Sequence, residues 1–157
     1  MELQKDINSY ITLEEVKQII EDYVYVDAIL EYVNTLSDNF INKIINRSTK
    51  IIDKLHFKGY KVDIEQPLSF PRYDYKGKNT VVVECPEDIK VGIVLQAIYD
   101  SYYLNKDEVQ LKKLGVSSYS VDGASISFNK DISENKYKNG IYKDIYEYYI
   151  REYTEYI

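Results

Sequence analysis

The sequence predicts a mainly α-helical protein, a helical bundle packed around one central apolar helix. The chain has 157 residues, 45% of them hydrophobic and 29% charged, which is the size and balance of one globular domain. Apolar residues recur every three or four positions from Phe40 to Leu55, as on the core-facing side of a helix. Residues 88–104 are apolar nearly all round, and such a helix is normally buried among others.

Two short helices are predicted near the N-terminus. Thr12 and Glu15 have the spacing of a capping box, in which each side chain accepts a hydrogen bond from the backbone amide of the other residue. Apolar residues then recur at helical spacing as far as Tyr23. A second helix is predicted over residues 27–34, where apolar positions again fall on one side.

The third predicted helix carries the apolar stripe from Phe40 to Leu55. Ser37 or Asp38 begins it, since both residue types are favoured N-caps. Gly59 is a suitable stop at its C-terminal end, because glycine readily adopts the left-handed conformation found there.

Residues 60–85 are predicted to form a long irregular loop, because prolines interrupt the segment and helical periodicity disappears. Residues 80–83 resemble a short strand, but no partner strand is evident. Loops of this length in compact domains are often functional. Phe70, Pro71 and Arg72 lie in this loop and have two interpretations. Phe70 anchors the loop to the core, or the segment binds a partner with Arg72 as its charged tip.

The second half of the chain begins with the central helix. Pro86 suits its first position, where the missing amide proton costs nothing. A small β-hairpin is predicted over residues 116–128, because two alternating segments flank Asp122 and Gly123, a strong turn signal. Residues 139–157 are predicted to form a final helix.

Tyrosines follow a heptad-like pattern on that final helix. They step by four and three residues, at Tyr142, Tyr146, Tyr149, Tyr153 and Tyr156. The stripe is either the inward face of a terminal helix on its own bundle or a contact surface for another protein or subunit. Each buried hydroxyl needs a hydrogen-bond partner, so a partly hydrated interface suits five tyrosines better than a core without water.

The sequence shows no pattern typical of an enzyme. His56 is the only histidine and Cys85 the only cysteine, which excludes two-histidine metal motifs, cysteine-rich zinc sites and an internal disulfide. The glycines occur singly, so no phosphate-binding loop is present. We therefore expect no catalytic residue, no metal and no cofactor.

The charge balance is acidic, with a net charge of −6 and Asp plus Glu outnumbering Lys plus Arg by 26 to 20. Such a chain is a poor candidate for wrapping nucleic acid, because neutralisation of phosphates supplies most non-specific affinity. The N-terminus has no apolar signal core, and no apolar stretch is long enough to span a bilayer. We expect a soluble protein without membrane contact.

The order of several segments resembles a known family. The segments are 51–59 (IIDKLHFKG), 66–72 (QPLSFPR), 85–90 (CPEDIK) and 111–120 (LKKLGVSSYS). In this order they resemble the head–tail connector proteins, also called adaptor or head-completion proteins, of tailed bacteriophages. Some relatives of that family carry the label of DnaT-like single-stranded-DNA-binding protein. The resemblance spans roughly residues 10–130.

The resemblance implies a structural virion protein at the head–tail junction, present in the host cytoplasm during assembly. It implies a homo-oligomeric ring, expected to be a dodecamer, whose partners are the portal protein and neighbouring tail or stopper proteins. DNA would be a partner only as the viral genome that passes through the ring. Residues 1–130 would form the connector-like domain, and the Tyr-rich extension 131–157 would belong to the same domain or form an assembly arm. The candidate interface residues are Phe70, Pro71, Arg72, Tyr142, Tyr146, Tyr149 and Tyr153.

The alternative is a single-stranded-DNA-binding or replication-accessory module. Such a module needs a basic groove with exposed aromatic residues. One helix carries a clear basic run, and it is the place to look for such a groove: Lys43, Arg47, Lys50 and Lys54. Steeply salt-dependent binding to oligonucleotides would support this alternative.

Overall fold

Four helices dominate the computed structural model, which describes residues 2–76, 78–104, 118–121, 124–127, 137–138 and 141–155. Their bounds are α1 Leu13–Tyr23, α2 Asp27–Asn34, α3 Asp38–Ile52 and α4 Glu87–Leu104. All four were expected from the sequence, although α3 ends at Ile52, before its predicted end next to Gly59.

The two predicted N-terminal caps are confirmed. The hydroxyl of Thr12 accepts a hydrogen bond from the Glu15 amide at 3.3 Å, and the Glu15 carboxylate accepts one from the Thr12 amide at 2.7 Å. The side chain of Ser37 caps α3 in the same way, accepting from the amide of Phe40. These bonds satisfy amides that have no partner inside the helix.

Gly59 does not end α3, because the helix stops at Ile52 with Asp53 as its C-cap. Gly59 has a φ angle of 76°, and a Cβ atom there would lie 1.9 Å from the carbonyl oxygen of Tyr73. The glycine is therefore needed for the close approach of a neighbouring strand rather than for the helix end.

Helix α4 forms the centre of the core, as predicted. Every residue from Val91 to Ile98 is buried. The helix packs against α1, α2, α3 and the C-terminal segment of the chain. Within the described part of the chain, no helix is long and apolar enough to cross a membrane.

The prediction of an irregular loop over residues 60–85 is wrong, because this segment contains a three-stranded antiparallel sheet in the order β1-β2-β3. The strands are β1 Tyr60–Lys61, β2 Arg72–Lys76 and β3 Asn79–Val83. The expected strand at residues 80–83 pairs with β2, in which Val82 lies opposite Tyr73. In β2, tyrosines alternate with charged residues, so no aliphatic pattern revealed the partner strand.

The fold is therefore mixed α/β, and the prediction of a mainly α-helical bundle is wrong. Further strands occur in the second half of the chain. The predicted hairpin is present as β4 Ser118–Val121 and β5 Ala124–Ser127, with Val121 opposite Ala124. A second hairpin joins β6 Tyr137–Lys138 to β7 Ile141–Tyr142.

The continuous final helix predicted over residues 139–157 is also wrong. After β7, an α-helical turn at Lys143–Ile145 passes into a π-helical turn at Tyr146–Ile150 and a 3₁₀ turn at Arg151–Tyr153. The π and 3₁₀ turns thus replace a regular α-helix over these residues. Tyr148, which lies outside the predicted stripe, is 82% exposed, and Ile150 is fully buried. Residues 143–153 are called the C-terminal helical segment below.

Some predictions fall outside the described residues. These are the hairpin turn at Asp122 and Gly123, the boundary between residues 130 and 131, and the position of Tyr156. In the described segment 141–155, the isoleucine side chains belong to the same hydrophobic core as α4, namely those of Ile141, Ile145 and Ile150.

Candidate functional site

Helix α3 presents opposite faces to the core and to solvent. Ile45 and Ile52 are fully buried, and the Ser48 hydroxyl donates a hydrogen bond to the carbonyl of Ile93 on α4 at 2.8 Å. The cations of the basic run are all exposed, and three of them lie on α3 itself, with the fourth in the turn just after it. These four residues are called the basic stripe: Lys43, Arg47, Lys50 and Lys54.

The basic stripe is not neutralised by neighbouring carboxylates. The salt bridges seen in the described part of the chain use other cations, namely Lys5, Lys17, Lys90 and Arg151. No residue of the stripe makes a salt bridge or side-chain hydrogen bond with any residue that the structure describes. A cation without an internal partner is available to an external anion.

The carboxylates nearest in sequence to the stripe are already engaged. Asp38, at the N-terminal end of α3, pairs with Lys17 at 2.9 Å. Asp53, at its C-terminal end, accepts hydrogen bonds from the Tyr10 hydroxyl and from the Ser69 amide. The solvent face between these two residues carries no acidic side chain. The sequence signal for this surface was the spacing of the cations along one helix.

A second exposed surface lies on the three-stranded sheet. One row across the three strands pairs Tyr60 with Tyr73 and Tyr73 with Val82. The row two residues farther along β2 pairs Tyr75 with Thr80. Paired residues in an antiparallel sheet project to the same face. We call this surface the tyrosine face, and its members are Tyr60, Tyr73, Tyr75, Thr80 and Val82.

The tyrosine rings of this face are close together. The ring centroid of Tyr60 lies 5.2 Å from that of Tyr73 and 6.0 Å from that of Tyr75. A hydrogen bond with Tyr75 raises the pKa of the Tyr60 hydroxyl above its ordinary value. Sequence analysis missed this surface, because only the strand register brings Tyr60 beside the tyrosines of β2.

The predicted interface segment at Phe70 faces its own chain. Phe70 is only 6% exposed and makes edge contacts with the rings of Tyr10 and Phe57, whose centroids lie at 5.9 Å and 5.0 Å. Pro71 follows it, half-buried, just before β2. The segment thus anchors the sheet to the core, which agrees with the first of the two interpretations made from the sequence.

Arg72 binds main-chain carbonyl groups. Its Nε donates to the carbonyl of Lys58 at 2.9 Å, and its Nη1 donates to Ser69 at 3.2 Å. Its Nη2 donates to the carbonyls of Phe57 at 3.0 Å and Gly59 at 2.5 Å. Burial lowers the pKa of this guanidinium below its ordinary value, but the group stays charged at neutral pH. Its donors hold the start of the sheet in place.

The predicted tyrosine stripe also finds partners inside the chain. The Tyr146 hydroxyl pairs with that of Thr154 at 2.9 Å, and the Tyr153 hydroxyl donates to Asp88 at 2.9 Å. Burial and the bond to Asp88 raise the pKa of Tyr153 to about 12. The Tyr142 amide donates to the Gln96 side chain at 2.9 Å, and the Tyr149 ring makes an edge contact with a ring of α1.

Cys85 and His56 show no catalytic arrangement in the described part of the chain. Burial raises the pKa of the Cys85 thiol, which therefore stays protonated rather than becoming a nucleophilic thiolate. His56 is exposed, and its carbonyl accepts a hydrogen bond from Glu155. Among the residues that the structure describes, no group of three or more His, Cys, Asp or Glu side chains could hold a metal ion.

A protein-family model described as "Putative DnaT-like ssDNA binding protein" matches residues 2–147. No curated protein and no solved structure matches the chain. The family match corrects the assignment made from the resemblance, because it indicates a DNA-binding, replication-type family rather than the head–tail connectors of bacteriophages. The portal and tail proteins are therefore withdrawn as partners, as are the virion ring and the view of DNA as only a passing genome.

Proposed function

Because the chain belongs to the family of DnaT-like single-stranded-DNA-binding proteins, we propose that it binds single-stranded DNA and that the basic stripe of α3 holds the phosphates. This is the alternative that the sequence left open. The observation that carries it is a row of exposed cations, none of which is paired with a described residue.

The spacing of the stripe suits an extended polyanion. Lys43, Arg47 and Lys50 lie on successive turns of one helix face, so they cover about 10 Å along the axis at 1.5 Å of rise per residue. Each cation that neutralises a phosphate releases condensed counterions, which favours binding at low salt. Four such contacts on a single strand give a slope of log K against log salt of about −3.

The negative net charge is compatible with this proposal, because the face of α3 between Asp38 and Asp53 carries no acidic side chain. Exposed carboxylates lie on α1 and α2, at Glu14, Glu21, Asp22, Asp27 and Glu31. At physiological ionic strength, charges farther apart than about 8 Å are largely screened from each other. The local potential at the stripe then governs contact with a phosphate, while carboxylates elsewhere on the chain weaken long-range attraction. Modest affinity with steep salt dependence is the expected result.

The test is fluorescence anisotropy of a labelled oligothymidylate of about 15 nucleotides, within the usual site sizes for single strands. It is titrated with the wild type, Arg47→Ala/Lys50→Ala and the matched control Lys5→Ala/Lys143→Ala at several salt concentrations. Both variants lose the same charge, and Lys5 and Lys143 are exposed residues outside the stripe.

The stripe variant is expected to bind more weakly and to reduce the salt slope by about 1.4, the contribution of two phosphate contacts. The control variant should retain the wild-type slope. Equal losses in the two variants would show that only net charge matters. Absence of binding by the wild type at low salt would overturn the proposed function itself.

A further inference from the structure

The tyrosine face is an uncharged aromatic surface that is open to solvent. Tyr75 is 64% exposed, Val82 is 53% exposed and Tyr60 is 48% exposed. None of its five members is charged. Cross-strand aromatic pairs stabilise a sheet, but that role does not require the rings to remain so accessible. The exposure points to a ligand with flat apolar faces.

The charges around this face are distributed unevenly. At the end of the sheet where β2 turns into β3, Lys76 and Lys78 are exposed and form no salt bridge with a residue that the structure describes. Lys58, which precedes β1, is not one of these free cations, because its Nζ donates to the carbonyl of Glu152 at 2.6 Å. The exposed acids Asp63 and Glu84 follow β1 and β3 at the opposite end.

We propose that the tyrosine face stacks unpaired nucleic-acid bases, with the lysines at the turn end of the sheet contacting the adjoining phosphates. This inference rests on the proposed function and adds a surface that would make DNA binding specific for unpaired strands. Bases have flat π faces that stack on aromatic side chains whatever their identity, whereas paired bases inside a duplex do not offer those faces. The cations beside the rings favour a polyanion over a neutral apolar partner.

The basic stripe and the tyrosine face contribute to binding in ways that differ in their dependence on salt concentration. Contacts from the basic stripe to phosphates depend on salt, because they release counterions. Stacking on Tyr60 and Tyr75 involves no counterion release, so its loss lowers affinity at every salt concentration without changing the salt slope. This difference allows the two surfaces to be tested separately.

The test compares Tyr60→Leu/Tyr75→Leu with the conservative variant Tyr60→Phe/Tyr75→Phe. A matched control, Tyr25→Leu/Tyr148→Leu, removes two other tyrosines that are 85% and 82% exposed. Each variant is titrated with the oligothymidylate and with an abasic oligonucleotide of the same length. Thermal unfolding of each variant verifies that it is folded.

We expect the leucine variant of the tyrosine face to bind oligothymidylate about fivefold or more weakly, with an unchanged salt slope. It should bind the abasic strand as well as the wild type does, since that strand has no bases to stack. The phenylalanine variant should retain wild-type affinity, because its rings still stack.

Wild-type affinity in the leucine variant, alongside salt-dependent binding by the wild type, would overturn the stacking surface and leave the proposed function standing. An equal loss on abasic and normal strands would overturn it too. So would a wild-type dimer that the leucine variant abolishes, because the face would then be occupied by a second copy. If the wild type binds neither strand, the proposed function and this inference both fail.

Discussion

The hydroxyl of Tyr10 donates a hydrogen bond to the carboxylate of Asp53, the residue that caps the C-terminal end of α3. The same hydroxyl accepts hydrogen bonds from the amides of Ser69 at 2.9 Å and Phe70 at 3.2 Å. Tyr10 is only 1% exposed, and burial followed by the bond to Asp53 raises its pKa far above the ordinary value. One buried hydroxyl thus joins the N-terminal segment, the end of α3 and the approach to the sheet.

Removing that hydroxyl should destabilise the protein. Tyr10→Phe leaves the Phe70 amide without its side-chain acceptor and the Asp53 carboxylate without one donor. We expect a loss of about 1–3 kcal/mol in the free energy of unfolding, the usual cost of an unsatisfied buried group. Urea denaturation measures it, with Tyr148→Phe at an 82% exposed position as the control. Similar stability of the two variants would contradict the structural role of the Tyr10 hydroxyl.

The contacts of Arg72 predict that lysine cannot replace it. A lysine ammonium ion cannot reproduce the fixed fork through which Arg72 reaches the carbonyls of residues 57, 58, 59 and 69. Arg72→Lys is expected to cost about 2 kcal/mol in the free energy of unfolding, the order of one hydrogen bond to a charged group. The exposed control Arg47→Lys should change it by less than about 0.5 kcal/mol. Chemical denaturation of both variants decides whether the prediction holds.

The C-terminal helical segment is expected to be part of the folding unit. Ile150 is fully buried, and a Cβ atom added at Gly92 of α4 would lie 3.2 Å from its Cγ1. Ile150→Ala should cost about 2–5 kcal/mol, because it opens a cavity beside the central helix. Ile7→Ala, at a position that is 58% exposed, is the control for thermal unfolding. An equally small shift in both variants would show that this segment is not integrated with α4.

The hydrogen bond between Tyr153 and Asp88 predicts a loss of stability at alkaline pH. The pKa of Tyr153 is about 12 in the folded chain, above the ordinary value of about 10 for tyrosine. A raised folded-state pKa stabilises the protein below the unfolded-state pKa, and this contribution is lost as the pH rises from about 10 to about 12. The stability difference between the wild type and Tyr153→Phe should therefore shrink over that range in urea denaturation. A difference that is constant with pH would contradict the assignment.

The helices and the basic stripe could be predicted from the sequence because the patterns that indicate them are local. The capping box at Thr12 needs only Glu15, three residues away, and the stripe of α3 needs only cations spaced by three and four residues. The sequence alone therefore predicts the candidate phosphate-binding surface. The connector assignment failed because an ordered set of short segments is a weaker indication than a match over most of the chain.

The sheet could not be predicted in this way, because its formation depends on pairing between separate segments of the chain. Thr80–Val83 had the composition of a strand, but its partner β2 alternates tyrosine with charge and resembles a polar loop. In the tertiary structure, Arg72 and Phe70 hold β2 against the core. The tyrosine face exists only once this register is set.

The sequence by itself determined the four main helices, the burial of α4 and the position of the exposed cations. Patterns among residues a few positions apart indicate the helices and the cations, and the apolar character of α4 on every side indicates its burial. Only the tertiary structure decided that residues 60–83 contain a sheet and that Tyr146 and Tyr153 form hydrogen bonds within their own chain. The reason is that strand pairing and hydroxyl partners such as Asp88 for Tyr153 join residues far apart in the chain. Burial and register select those partners in the folded protein, and no local periodicity encodes them.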